Sequence, residues 1–116
     1  LPLDKLPDAA AACDILVCCI ALTPETRSIV SEEIFGRLHD GVIFVNVARG
    51  ALADEAALTK WLQNGGCAVL DVFEEEPLPE SSPLWEMENV VLTPHNSFVG
   101  EGNRARLWET IKENLG

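Results

Sequence analysis

The chain has 116 residues, which is about the size of one domain, and it carries 19 acidic against 8 basic residues. The resulting formal charge of −11 would repel phosphate backbones and anionic lipid surfaces, so we expect no nucleic acid partner and no membrane partner. No apolar run approaches the roughly 20 residues of a membrane span, and the first residues lack the pattern of a signal peptide. These two features predict a soluble, cytoplasmic protein. The four cysteines lack zinc-type spacing, which predicts reduced thiols and no metal site.

The first third of the chain contains one apolar run and two helix-start signals. Residues 3–13 are predicted to form a loop with a short turn, and residues 15–20 a buried strand of Ile, Leu, Val and Cys. Thr23 followed by Pro24 is typical of a helix start, so residues 23–30 are predicted to begin a short helix. Ser31 predicts the cap of a second helix, with two glutamates in its first turn.

The next segments alternate strands with helices. Residues 42–47 form an apolar, β-branched run that predicts a central strand covered on both faces. Asp54 is a helix cap and Gly65 a helix stop, which predicts a helix between them. Residues 67–73 and 90–93 predict two further strands, separated by a proline-rich acidic loop. A last helix from about residue 101 has an apolar stripe at helical spacing, formed by Leu107, Trp108, Ile111 and Leu115.

This order of elements predicts a parallel α/β sheet with flanking helices. The carboxyl ends of parallel strands meet at one edge, where ligands bind in open α/β sheets. Ala21, Arg49, Glu76 and His95 each follow a different strand. We therefore expect these four residues to line one rim although they span much of the chain.

The residues at this rim have complementary chemistry. Arg49 offers a planar fork of donors suited to a carboxylate, although a surface arginine that caps a loop would look the same in sequence. His95 could be a loop histidine without a role, but a contact with Glu76 would orient its imidazole as a proton donor. Asp71 either caps a bulge or faces a ligand. A Cys-His hydrolase that uses Cys67 is a weaker possibility, since nothing in the sequence indicates an activated thiol.

One glycine motif invites a different interpretation. Residues 100–105, Gly-Glu-Gly-Asn-Arg-Ala, match the dinucleotide-binding pattern G-x-G-x-x-G/A between a strand and a helix. The motif should be followed by a second strand and by an acidic residue about 20 positions on, and only eleven residues follow it here. We therefore favour a flexible helix entry over a phosphate loop.

Four stretches together resemble a known family: VNVARGALADEAAL, LDVFEEEPLPESSPLW, LTPH and LTPET. They are similar to the D-isomer specific 2-hydroxyacid dehydrogenases. The resemblance implies that residues 1–116 are a partial NAD(P)-binding domain, the C-terminal half of a Rossmann-type domain without the glycine-rich first half and the substrate domain. It also implies a homodimer that binds NAD, with NADP not excluded, and acts on a small 2-oxo or 2-hydroxy acid.

The resemblance assigns roles by position. The substrate carboxylate and carbonyl would be bound by Arg49, His95 would donate and accept the proton, and Glu76 would be the partner of His95. Asp71 would meet the carboxamide of the nicotinamide. The full cofactor-binding set that the resemblance implies is Cys19, Ile20, Ala21, Thr26, Val47, Ala48, Arg49, Asp71 and His95.

Two positions depart from the family pattern. Cys19-Ile20-Ala21 stands where the family often has His-Val-Pro, which affects the cofactor wall, and Phe98 places a ring where small residues are usual. A different class of function also remains open, namely a non-catalytic module that senses a dinucleotide or recruits a partner on the same scaffold. The intact set of Arg49, Glu76 and His95 favours the enzyme.

Overall fold

The computed structural model describes residues 2–115, except for the side chain of Leu115, and is built around a four-stranded parallel sheet. Its strands lie side by side in chain order: β1 (Ile15–Cys18), β2 (Ile43–Asn46), β3 (Cys67–Leu70) and β4 (Val90–Leu92). All three pairs of neighbours are parallel, so all the carboxyl ends lie at the same edge. The predicted parallel α/β sheet is confirmed.

Four α-helices accompany the sheet: α1 (Leu6–Ala12), α2 (Glu32–Arg37), α3 (Glu55–Gln63) and α4 (Asn103–Leu115). Short 3₁₀ turns occupy Leu3–Lys5, Gly50–Leu52 and Pro83–Glu86. The caps predicted for α3 are confirmed. The side chain of Asp54 accepts a hydrogen bond from the backbone N–H of Ala57 at 2.9 Å, and Gly65, at a φ of +97°, follows the helix end.

The core lies on one face of the sheet. Side chains of α1, α2 and α3 pack there in a single cluster with strand residues such as Phe44 and Leu70. At its centre the ring of Phe35 contacts Phe44 edge-on and stacks on Trp61, with centroid distances of 5.3 and 5.4 Å.

The other face of the sheet carries exposed apolar side chains, which we call the open sheet face: Ile15, Val17, Ile43 and Val91, each 38 to 57% exposed. The prediction that both faces of residues 42–47 are covered is therefore wrong for this chain, because α1, α2 and α3 all pack on the same side. The predicted apolar stripe of α4 is also exposed at Leu107, Trp108 and Ile111, and the Leu115 side chain lies outside the described residues.

Two local predictions are wrong. Residues 23–30 form successive turns instead of a helix, because Ser28 adopts a φ of +52° and the N–H groups of Ser28 and Val30 donate to Ala51 and Leu52 of another segment. Residues 6–12, predicted as loop, form α1, whose alanines favour a helix and whose Ala10 is fully buried. Within residues 2–115, no helix has the length and apolar character needed to cross a membrane.

Candidate active site

A histidine and a glutamate form a hydrogen-bonded pair at the carboxyl edge of the sheet. His95, just beyond β4, donates from Nδ1 to Oε2 of Glu76 over 2.7 Å. The other carboxylate oxygen, Oε1, accepts the backbone N–H of Phe73 at 3.0 Å, which fixes the carboxylate in place. Both side chains are about one-third exposed, so the imidazole remains accessible from solvent. With Nδ1 engaged, Nε2 is the nitrogen left for proton exchange.

The electrostatic surroundings favour the ionised form of Glu76. Partial burial alone would raise the pKa of this carboxyl group. Hydrogen bonds from His95 and from the Phe73 N–H, together with the nearby His95 and Arg49 groups, outweigh burial and hold the pKa of Glu76 below its ordinary value. A carboxylate that stays ionised can orient the imidazole over a wide pH range.

The loop after β2 carries Arg49 and is organised by a buried asparagine. Asn46 is 2% exposed, donates from Nδ2 to the Arg49 carbonyl at 3.0 Å and accepts the Ala48 N–H at 3.2 Å. The Arg49 side chain itself is exposed at the rim, close enough to Glu76 to lower the pKa of that carboxyl group. Sequence analysis missed Asn46. The signal available was a polar residue inside an otherwise apolar strand.

Gly50 lets the Arg49 loop approach the loop that carries Glu76. A Cβ atom at Gly50 would lie 1.9 Å from the backbone carbon of Phe73 and 2.4 Å from the Glu74 nitrogen, closer than real Cβ contacts come. The two backbones therefore touch at this point. Only glycine permits this contact. The contact keeps the Arg49 loop next to the loop that carries Glu76. Sequence analysis missed this role of Gly50.

Asp71, which sequence reasoning left as either a cap or a ligand-facing residue, is buried at the end of β3. It is 1% exposed, and its carboxylate accepts hydrogen bonds from Thr93 Oγ1 and from the N–H groups of Asn96 and Ser97. Burial would raise its pKa, but these hydrogen bonds outweigh burial and hold the pKa of Asp71 well below its ordinary value. The structure thus places Asp71 beneath the loop that carries His95.

Five of the nine residues predicted to line a cofactor lie along one open groove, whereas Asp71 and His95 lie outside it. The groove has a volume of about 570 Å³, and its lining is Cys19, Ile20, Ala21, Leu22, Ala48 and Arg49. Val47 adjoins it as a half-exposed residue. Thr26 is buried, and its hydroxyl donates to the Ala21 carbonyl at 2.9 Å, so it shapes the wall from behind. An apolar groove with a cation at one end suits a flat heterocycle beside an anionic substrate.

A second cavity of about 580 Å³ is lined by Glu76 and His95 together with the apolar side chains of Leu78, Trp85 and Leu92. Arg49 therefore lines one cavity, and the His95–Glu76 pair lines the other. Such an arrangement can bind an acid through Arg49 and exchange a proton through His95.

Comparison with known proteins agrees with this geometry. The model of the family described as D-isomer specific 2-hydroxyacid dehydrogenase, NAD binding domain, matches residues 1–97. The chain belongs to this family. The predicted family membership is therefore confirmed, and the Rossmann-type neighbours below confirm the predicted fold.

Three relatives illustrate the match within the 2-hydroxyacid dehydrogenase family. A glyoxylate reductase of Korarchaeum cryptofilum is 40% identical over 117 residues, which include 99% of this chain and 34% of that protein. A Xanthobacter autotrophicus Py2 family member, solved with NADPH and MES, is 43% identical with a TM-score of 0.81, over 97% of this chain and 48% of that one. An NADPH-dependent glyoxylate/hydroxypyruvate reductase of Sinorhizobium meliloti, solved with NADP and sulfate, is 32% identical with a TM-score of 0.79, over 97% and 37%. The chain thus spans about a third to a half of these relatives.

Proposed function

We propose that the full-length protein that carries this chain is an NAD(P)-dependent oxidoreductase that interconverts a small 2-oxo acid and the corresponding D-2-hydroxy acid. The observation that carries the proposal is the 2.7 Å contact between His95 and Glu76, next to the exposed Arg49. Family membership supports it. Residues 1–116 would form the C-terminal half of the cofactor domain.

Each residue of this set has a role in the proposed reaction. Arg49 binds the carboxylate of the substrate and polarises the neighbouring carbonyl. His95 gives a proton from Nε2 to the carbonyl oxygen during reduction and takes it back during oxidation, while Glu76 keeps the ring oriented. The nicotinamide group supplies the hydride when it is bound.

The proposed cofactor-binding residues are those of the groove and its surroundings. Cys19, Ile20, Ala21, Val47 and Ala48 would form the wall, with Thr26 behind it, Arg49 and His95 at the reacting end and Asp71 buried beneath the loop that carries His95. The fit rests on the open groove of about 570 Å³ between the loops after β1 and β2. The description of the family as an NAD binding domain supports NAD, and the relatives solved with NADPH or NADP support NADP.

The test is consumption of NADH or NADPH by the full-length protein. The substrates would be small 2-oxo acids, including glyoxylate and hydroxypyruvate, for which two of the relatives are named. We expect substrate-dependent oxidation of the cofactor that is lost in His95→Ala and retained in His39→Ala, the other histidine of the chain. Tight binding of NAD(H) without turnover of any 2-oxo acid would favour the non-catalytic module instead.

A cytoplasmic homodimer belongs to the same proposal. The four cysteines are free thiols, which suits a reducing compartment. The open sheet face offers apolar surface for further contacts. Sedimentation equilibrium of the full-length protein would give the mass of a dimer, and a monomer at micromolar concentration would contradict this part of the proposal.

A further inference from the structure

Asp71 is a buried negative charge whose partners are all uncharged donors. Its Oδ1 accepts the Thr93 hydroxyl and the Asn96 N–H at 2.9 Å, and its Oδ2 accepts the Ser97 N–H at 2.9 Å. A carboxylate has about four sites that accept hydrogen bonds, and donors of the same chain occupy three of those of Asp71. Every donor comes from the five-residue loop 93–97.

The loop held by Asp71 contains a residue in an unfavourable backbone conformation. His95 has a φ of +52°, in the left-handed region that favours glycine over residues with a side chain. Asp71 anchors both sides of His95, because Thr93 precedes the histidine and Asn96 and Ser97 follow it. Such strain persists only where the surrounding structure determines the conformation. Here the hydrogen bonds to one carboxylate hold both sides of His95, and the Thr93 N–H also donates to the Leu70 carbonyl at 3.0 Å.

The conformation of His95 also decides whether its ring reaches Glu76. The two residues belong to different connections of the sheet, one before and one after β4, and meet through a single 2.7 Å hydrogen bond. A change of φ at His95 would swing the imidazole away from the carboxylate. The backbone of the loop therefore controls the proton-transfer pair.

We propose that Asp71 is a positioning residue for His95: it clamps the loop 93–97 so that the imidazole is held against Glu76 before any ligand binds. This inference rests on the proposed function and adds to it a role that is separate from cofactor contact. Asp71 has no contact with the reacting atoms and acts through the backbone of the loop.

The ionisable groups around His95 and Glu76 allow the effect of the clamp to be measured through the pH dependence of the rate. Glu76 faces His95 from the connection after β3, Arg49 approaches from the loop after β2, and Asp71 lies beneath the loop itself. The hydrogen bond from His95 is one cause of the low pKa of Glu76. Loosening the clamp should raise the pKa of Glu76 towards its ordinary value, so the acid limb of the rate profile should move to higher pH.

The experiment compares Asp71→Asn with Asp54→Asn in the full-length protein. Asp54 is the matched control, because its carboxylate also accepts a backbone N–H but caps α3 away from the site. For Asp71→Asn we expect kcat to fall by about tenfold or more, as misplacement of a reacting group does, with the acid limb at higher pH and the KM for the cofactor changed less than twofold. Asp54→Asn should keep kcat and the pH profile and should change thermal stability little, since asparagine caps a helix about as well as aspartate. A raised cofactor KM with unchanged kcat and pH profile in Asp71→Asn would overturn the proposal and make Asp71 a cofactor ligand only.

A second variant and a second readout keep the test decisive. If Asp71→Asn does not fold, Thr93→Val removes one donor and leaves the carboxylate in place, and it should give the same changes to a smaller extent. Hydrogen–deuterium exchange of residues 93–97 needs no turnover, so it tests the clamp even if the wild-type protein reduces no 2-oxo acid. We expect faster exchange in this segment in Asp71→Asn and in Thr93→Val, and unchanged exchange there in both would refute the clamp.

Discussion

At the scale of single residues, two buried polar side chains organise the site from below. Asn46 ends β2 and bonds the backbone of Ala48 and Arg49, while Asp71 follows β3 and bonds the loop around His95. Buried polar groups must be satisfied, and here each is satisfied by the loop that carries a candidate active-site residue. The positions of Arg49 and His95 therefore depend on the buried side chains of Asn46 and Asp71.

The first prediction concerns the exposed residues themselves. In the full-length protein, His95→Ala should lower kcat by about 100-fold or more, because loss of a general acid costs that much. Arg49→Ala should raise the KM for the 2-oxo acid and also slow the reaction, since it removes the group that binds the carboxylate. Steady-state kinetics measures both effects.

Two substitutions serve as controls for that prediction. His39→Ala and Arg37→Ala remove the same types of side chain from exposed positions in another part of the chain, where Arg37 is paired with Glu33 at 3.5 Å. Both should keep near-normal kinetics. Near-normal turnover in His95→Ala and Arg49→Ala as well would show that the site lies elsewhere.

The second prediction concerns the acid stability that Asp71 provides. The pKa of Asp71 is lower in the folded state than the value of about 3.9 expected in the unfolded state. Its contribution to the free energy of unfolding is therefore complete above about pH 3.9 and is lost as the pH falls below that value. Asp71→Asn should cost about 1–3 kcal/mol of unfolding free energy at pH 7, since it leaves buried donors poorly paired. The difference from wild type should shrink below about pH 4. Urea unfolding at several pH values measures this, and a constant difference from pH 7 to pH 3 would contradict it.

At the scale of the elements, the site depends on close contact between two connections. The turn that begins at Gly50 touches the backbone of Phe73 and Glu74, and this contact brings the loops after β2 and β3 together. Strands β2 and β3 pair in register from Ile43 opposite Cys67 to Asn46 opposite Leu70. The two loops that follow them therefore begin at the same level of the sheet edge.

The third prediction tests this contact with two glycines. Gly50→Ala should destabilise the full-length protein by about 1–3 kcal/mol and lower kcat/KM, because the added methyl group must push the two loops apart. Gly36→Ala in α2 is the control: nothing lies within 4 Å of its Cβ position, so it should stabilise the helix by up to about 1 kcal/mol. Thermal unfolding and kinetics of both variants measure the contrast. An unchanged kcat/KM in Gly50→Ala would mean that the contact does not matter for the site.

Sequence patterns were sufficient to predict the elements whose signals lie within a few neighbouring residues. The cap at Asp54 and the stop at Gly65 predicted α3, and the order of apolar runs predicted the parallel sheet and the rim where Glu76 meets His95. Residues 23–30 were mispredicted because their backbone bonds go to residues 51 and 52, a tertiary contact that no local signal contains. The roles of Asn46 and Gly50 likewise depend on which loops meet in space.

At the scale of the whole molecule, apolar surface is distributed unevenly. The open sheet face and the exposed stripe of α4 present large apolar side chains, among them Val17, Val91 and Trp108. Within the described residues β1 pairs only with β2, so its outer edge also offers backbone donors and acceptors. Charge opposes association, because the net charge of −11 makes two copies repel each other.

The fourth prediction follows from this balance. Expressed by itself, the 116-residue chain should self-associate, and more so at high salt, where charge repulsion is screened. Sedimentation velocity at low and high salt measures the effect. Replacing Val17 and Val91 by lysine should reduce it, whereas the same change at the exposed polar residues Glu25 and Glu80 should not, since they lie outside the open face. A monomer at every salt concentration would show that this apolar surface is protected within the chain.

The order of the strands in the sheet also has a consequence for the timing of folding. The strands pair in the order in which they are synthesised, and His95 comes after the last of them. On a ribosome, β1, β2 and β3 can pair while β4 is still being made, but the loop that Asp71 clamps does not yet exist. We therefore expect the contact between His95 and Glu76 to form only after β4 has been synthesised and has docked, later than the pairing of β1, β2 and β3.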